Sequence, residues 1–358
     1  MTLALGALVC AGMPGRAQVA TGPRVELVPA PTTVVLPGLV DSNSPLVWDR
    51  IEGTLRLFVM TSVDGQPHVA SGPDTAHLGR AVPAHLEPWP GGGVWMEAVI
   101  ADSDGTWYGY FHNEVPAPAC PDTARQSPRV GAARSRDHGR TWESLGIILD
   151  VPPASASCTT RNKYFDGGVG DISVLLDPNS QDLYFFISSY PRFETRQGVS
   201  VARMAWADRD NPSGRVAVWV NRTFVPATRT VAADGAIAYS YPLSTPIFST
   251  TEGFFDADPR VDVFWGPSVH WNAFIERYVM LLNHAHDEQF SPDGVYVSLS
   301  ASLSDPRGWS APVRLTDASA WYPEVVGLAP GTGTDKRADE YARFFVGGVS
   351  TQFLHAVR

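Results

Sequence analysis

Five times along the chain a short apolar run is followed, after a polar turn, by a second and more aromatic apolar run. Residues 44–49 (SPLVWD) precede 55–59 (LRLFV), 97–102 (EAVIAD) precede 107–111 (WYGYF), and 171–176 (DISVLL) precede 183–187 (LYFFI). The series continues with 267–271 (PSVHW) before 278–282 (YVMLL) and 324–328 (EVVGL) before 344–346 (FFV). Helical periodicity is nearly absent, and Gly, Pro, Asp and Asn bound the runs, so the chain reads as all-β. The second copy goes on with 130–134 and 142–149, and the fourth with 295–298 and 311–315, giving four strands per copy. Repeated four-stranded units at a period of about 70 residues predict a five-bladed β-propeller, long blades being accounted for by loop insertions. The last copy lacks a fourth strand, and residues 24–28 (RVELV) can supply it, closing the ring with N- and C-terminal strands. A pair of β-sandwiches is the competing architecture, and it does not require a five-fold recurrence.

The predicted organisation is a signal peptide over 1–20 and one propeller over 21–358. Residues 3–13 form a short apolar run, Pro14 and Gly15 end it, and a small-residue exit follows around Ala17 to Ala20. A secreted or periplasmic protein is expected. Cys10 would leave with the leader, and Val9 is too bulky for a lipidation site there. Cys120 and Cys158 remain, either as a disulfide between loops or as two buried thiols. The net charge of −10, with no basic cluster, argues against nucleic acid as a partner. No later run approaches the ~20 apolar residues of a membrane span. A monomer is expected.

The innermost strands of a propeller converge on its axis, and the repeat sets Asp41, Glu97, Asp171 and Glu324 at or just before four of their starts. Converging carboxylates suit glycosidic bond cleavage, one protonating the leaving oxygen and another activating water or attacking. Any single one of them can instead accept backbone N–H groups in a turn. The glycines of 166–170 (DGGVG) would let backbone approach a ligand beside Asp171. Polar groups placed to read sugar hydroxyls are Asn43, His112, Asn113, Glu114, His270 and Asn283. Trp95, Trp265 and Trp321, next to strand starts, can offer flat faces to a sugar, although packing between blades is the ordinary role of such rings. His270 also suits a core position, or one beside a central ion or water. There is no strong metal motif, phosphate loop or nucleophile elbow, so no cofactor is expected, with a structural calcium left open.

Residues 135–142 (SRDHGRTW) match the Asp-box pattern of sialidases and other propellers, and 302–309 (SLSDPRGW) is a degenerate form at the equivalent turn. The arrangement as a whole resembles the five-bladed propeller glycoside hydrolases of families 32, 43, 62, 68, 117 and 130. Residues 41–48 and 264–272 also look like segments of uncharacterised secreted bacterial propeller proteins. The resemblance to family 43 implies Asp41 as base, or nucleophile in a retaining variant, and Asp171 as the orienting carboxylate. The family's acid on the fourth blade has no counterpart in 265–268 (WGPS), so Glu97 or Glu324 would have to protonate the leaving group. The function implied is a secreted glycoside hydrolase acting on an oligo- or polysaccharide. A non-catalytic carbohydrate-binding propeller is the alternative, and a sialidase-like enzyme would require arginines such as Arg134 and Arg161 at the axis.

Overall fold

The computed structural model describes residues 22–250, 252–254 and 260–358, so the expected leader lies outside the described residues. Five antiparallel sheets surround one axis. Their innermost strands are Leu46–Ile51, Gly93–Ala101, Val169–Asp177, Val263–Asn272 and Pro323–Gly327, in blades one to five. Each expected strand pair is present, and the described residues contain no α-helix. Blade two gains an outer parallel strand, His85–Glu87, and in blade four Arg337–Ala338 runs parallel to the end of the innermost strand.

Closure follows the expected route and extends further. Arg24–Val35 pairs antiparallel with Val349–Val357, from Arg24 opposite Val357 to Val35 opposite Val349. The last blade is thereby built from both ends of the described chain.

The second strands are nearly continuous apolar runs because each packs against a neighbouring blade on both faces. Leu183 to Ser189 are all buried. Between blades two and three, Tyr110 and Phe185 meet edge to face at 5.0 Å; between three and four, Phe186 meets Trp309 at 5.4 Å. Each such side chain contributes roughly 1.5–3 kcal/mol on burial.

The 135–142 turn is held by its own side chains. Asp137 accepts from the Ser135 hydroxyl and from the Thr141 N–H, both at 2.9 Å. Gly139 takes φ +79°, a value that favours glycine, and Trp142 packs beneath, donating to the Gly139 carbonyl at 2.9 Å. Cys120 and Cys158 form a disulfide, which resolves the two alternatives.

Candidate active site

At the end of the axis where the innermost strands begin lies a cavity of about 150 Å³. Asp41, Glu97, Asp171, Glu114 and His112 line it. The rest is aromatic, with Trp95, Trp265, Trp321 and Tyr322 joined by Tyr164, Phe165 and Phe290.

Strand irregularities aim the two deepest acids. In blade two Met96 pairs with Phe111 and Ala98 with Tyr110, leaving Glu97 as the extra residue of a bulge. In blade three Gly170 pairs with Ser188 and Ile172 with Ile187, leaving Asp171 extra, with φ +42°. Bulges re-aim side chains, and here they turn both carboxyls to the axis. Blade four has the same irregularity between Trp265 and Ser268, but glycine and proline occupy it. In blade five Glu324 pairs in unbroken register with Phe345.

The site is cross-linked by short polar contacts. The Asp171 N–H donates to His112 Nδ1 at 2.8 Å, and His112 Nε2 bonds Glu114 at 3.0 Å. Glu97 Oε2 accepts the Ile172 N–H. Both Asp171 oxygens are engaged by phenols, Oδ2 by Tyr190 at 2.6 Å and Oδ1 by Tyr322 at 3.3 Å. Asp41 is half-buried at the mouth.

Burial and the neighbouring Asp171 charge push Glu97 well above the usual carboxylate range, against the opposing pull of the Ile172 N–H. Burial, with Asp171 and Glu114 nearby, raises Asp41 to about 6. Asp171 is also raised by burial, while the phenols of Tyr190 and Tyr322 on its two oxygens favour its charge. For His112, burial disfavours a second proton, and the bond to Glu114 with the surrounding carboxylates outweighs it, pushing the ring up to about 9. The Asp171 N–H nevertheless occupies the Nδ1 lone pair, so a second proton enters only if that bond opens. The hydrogen bonds therefore assign the Nε2–H tautomer.

Glu97, His112 and Asp171 each offer an atom within 4.8 Å of the others, a spacing that a metal ion also uses. Both ring nitrogens are already spent on Asp171 and Glu114, so the trio lacks the free imidazole lone pair such an ion needs. The arrangement fits acid–base work: a carboxylic acid held neutral, a charged neighbour beside it, and a second carboxylate with access to water.

Of the expected site residues, the structure brings Asp41, Glu97, Asp171, Trp95, His112, Glu114 and Trp321 to one cavity. It does not bring Glu324 there. That carboxylate accepts the Ser44 N–H at 2.9 Å, the turn role weighed for each acid. Asn43 is buried between blades, donating to the Ile172 and Pro267 carbonyls at 2.8 and 2.9 Å. Asn113 points to the other face of its strand, donating to Gly91 and Gly93 and accepting from Arg129. His270 is fully buried, and burial, with the Lys336 charge nearby, lowers it to about 3 and keeps the ring neutral. Asn283 is buried against Gly266. Gly170 makes room for the His112 ring, since a Cβ there would lie 2.3 Å from its Nδ1, and Gly168 makes room for Pro128; neither opens backbone to a ligand. Arg134 bonds Glu143 and Asp210, Arg161 bonds the Arg260 carbonyl, and neither lines the cavity, which removes the sialidase-like arginine arrangement.

Tyr190 and Tyr322 were not foreseen, though alignment of the copies carries a signal for both. Counting from the second strands, Tyr190 stands in blade three where Glu114 stands in blade two, and Tyr322 precedes Glu324 by the same two residues that separate Trp95 from Glu97.

The fold and site define a five-bladed β-propeller with an acidic, aromatic-walled axial cavity. No protein-family model matches the chain, and no curated protein matches its sequence. Similar solved structures include an endo-arabinase from Bacteroides thetaiotaomicron, at 10% identity and TM-score 0.49, covering 90% of this chain and 95% of that one. A thermostable family-43 glycoside hydrolase is similar at 11% and 0.49, covering 90% of each. An alpha-L-arabinofuranosidase from Podospora anserina in complex with cellotriose is similar at 11% and 0.48, covering 91% of this chain and 95% of that one. The functional reading rests on the cavity itself.

Proposed function

We propose that this protein is a glycoside hydrolase. Glu97 gives its proton to the departing glycosidic oxygen as the anomeric C–O bond breaks. Asp41 takes a proton from the water that attacks the anomeric carbon and then releases it to solvent, from which Glu97 regains its own. Asp171 holds a negative charge beside Glu97 that keeps the acid protonated between turnovers; with both oxygens bound by Tyr190 and Tyr322 it is a poor nucleophile. The single observation that carries the reading is the shared cavity of Glu97, Asp171 and Asp41, one acid buried and neutral and another open to water. The aromatic wall supplies apolar faces for the sugar C–H groups. Export remains part of the proposal, and the Cys120–Cys158 disulfide supports it.

The test is sugar release from a panel of plant, microbial and host glycans, with Glu97→Gln as control. Release by the wild type and its loss in the variant, with glycan binding retained, is the expected result. Glycan binding without any bond cleavage by the wild type would overturn the enzyme in favour of a carbohydrate-binding propeller.

A further inference from the structure

The cavity holds more negative charge than bond cleavage requires. Acid, base and orienting carboxylate account for Glu97, Asp41 and Asp171, leaving Glu114. One Glu114 oxygen bonds His112, and its side chain is 24% exposed at the cavity. Asp41 and Glu114 are close enough to repel, which contributes to the raised affinity of Asp41 for its proton. No lysine or arginine lines the cavity among the described residues. The rest of the lining is aromatic, with Trp265 set edge to face against Trp321 at 5.6 Å and Tyr164 against Trp321 at 6.1 Å. One buried indole N–H of the lining, on Trp265, has no hydrogen-bond partner, and Trp265 is 3% exposed, whereas the Trp95 indole is engaged with Asp41. Buried donors without partners call for acceptors on a ligand. Paired carboxylates sharing one cavity with aromatic rings, with no lysine or arginine in its lining, make a seat for an organic ammonium. A compact metal ion would use the carboxylates and leave the rings and the indole donor without a role.

We propose that the sugar bound here is an amino sugar whose free, protonated amine sits between Asp41 and Glu114, with a hydroxyl accepting from the unpartnered Trp265 indole. This rests on the glycoside hydrolase reading and specifies its substrate class. The same charge pattern disfavours uronic and sialic acids, whose carboxylates would enter a field of their own sign.

The test is calorimetric titration of the full chain with glucosamine and galactosamine, each beside its N-acetyl and 2-hydroxy parent, and with calcium chloride alone. The amine should bind at least about ten-fold more tightly than either neutral relative, with the margin shrinking in higher salt. Glu114→Gln, which keeps an acceptor for His112 while removing the charge, should abolish that margin. Equal binding of amine and neutral sugars would overturn the inference and leave the hydrolase reading standing. Calcium binding at Glu114 that the amino sugars do not displace, or no sugar binding together with an inactive glycan panel, would also overturn it, and the latter would take the hydrolase reading with it.

Discussion

The backbone N–H of Asp171 donates to Nδ1 of His112 across the gap between blades three and two, at 2.8 Å. Asp171 lies in the left-handed region at φ +42°, where a non-glycine residue persists only when its surroundings hold it. His112 supplies that hold, and Glu114 on its far nitrogen fixes which nitrogen accepts. The carboxyl at the centre of the site is therefore positioned by an imidazole that bonds its backbone.

Gly170→Ala is the most economical test of this linkage. The added Cβ would fall 2.3 Å from His112 Nδ1 and Cε1. The ring must shift and the Asp171 bond opens, at about 1–3 kcal/mol of stability. Glycosidase kcat/KM should fall by about a hundred-fold, more than that destabilisation alone explains at a temperature where the variant is folded. Wild-type activity would show that the bond does not position Asp171.

Tyr190→Phe separates charge from geometry. The phenol favours the charged form of Asp171, and that charge in turn raises Glu97. Without the phenol Asp171 is neutral more of the time, Glu97 releases its proton more readily, and the basic limb of the pH–rate profile should move to lower pH. A limb that stays in place would contradict the coupling.

Glu324 makes a prediction about stability. Burial raises it from 4.5 to about 8, so between those values the folded chain keeps a proton that the unfolded chain has released. Its contribution is favourable at pH 4 and declines as pH rises through that window, by about 1.4 kcal/mol per unit. Glu324→Gln should melt near the wild type at pH 4 and above it at pH 8. Parallel melting curves across pH would refute this.

The disulfide braces the aromatic wall. Arg125, a few residues from Cys120, donates to the carbonyls of Cys158, Thr160 and Asn162, just before Tyr164 and Phe165 reach the cavity. Replacing both cysteines by serine should cost about 2–4 kcal/mol in chemical unfolding. KM should rise more than kcat falls, because the aromatic wall loosens while the acids stay in place.

The five strand pairs were legible because a blade strand buried on both faces must be apolar along its length, and the acids at strand starts were legible because the repeat fixes backbone position. Direction was harder to read. Glu97 and Glu324 occupy matching positions, and only the bulge in blade two turns one carboxyl to the axis. Strand alternation could have excluded Asn113, since His112 and Glu114 share a face and the residue between them takes the other. The bulges themselves leave no mark in composition, which is why Asp171 could be placed in sequence while its contacts with His112, Tyr190 and Tyr322 could not.

Catalysis as proposed requires a neutral Glu97 and an ionised Asp41 in one cavity, and the pH dependence of kcat/KM on a cleaved glycan is the decisive measurement. The profile should be a bell, rising through about 6 as Asp41 loses its proton and falling well above the usual carboxylate range as Glu97 loses its own. In Asp41→Asn the rising limb should vanish together with most of the rate. A variant that keeps both the limb near 6 and the rate would contradict the account.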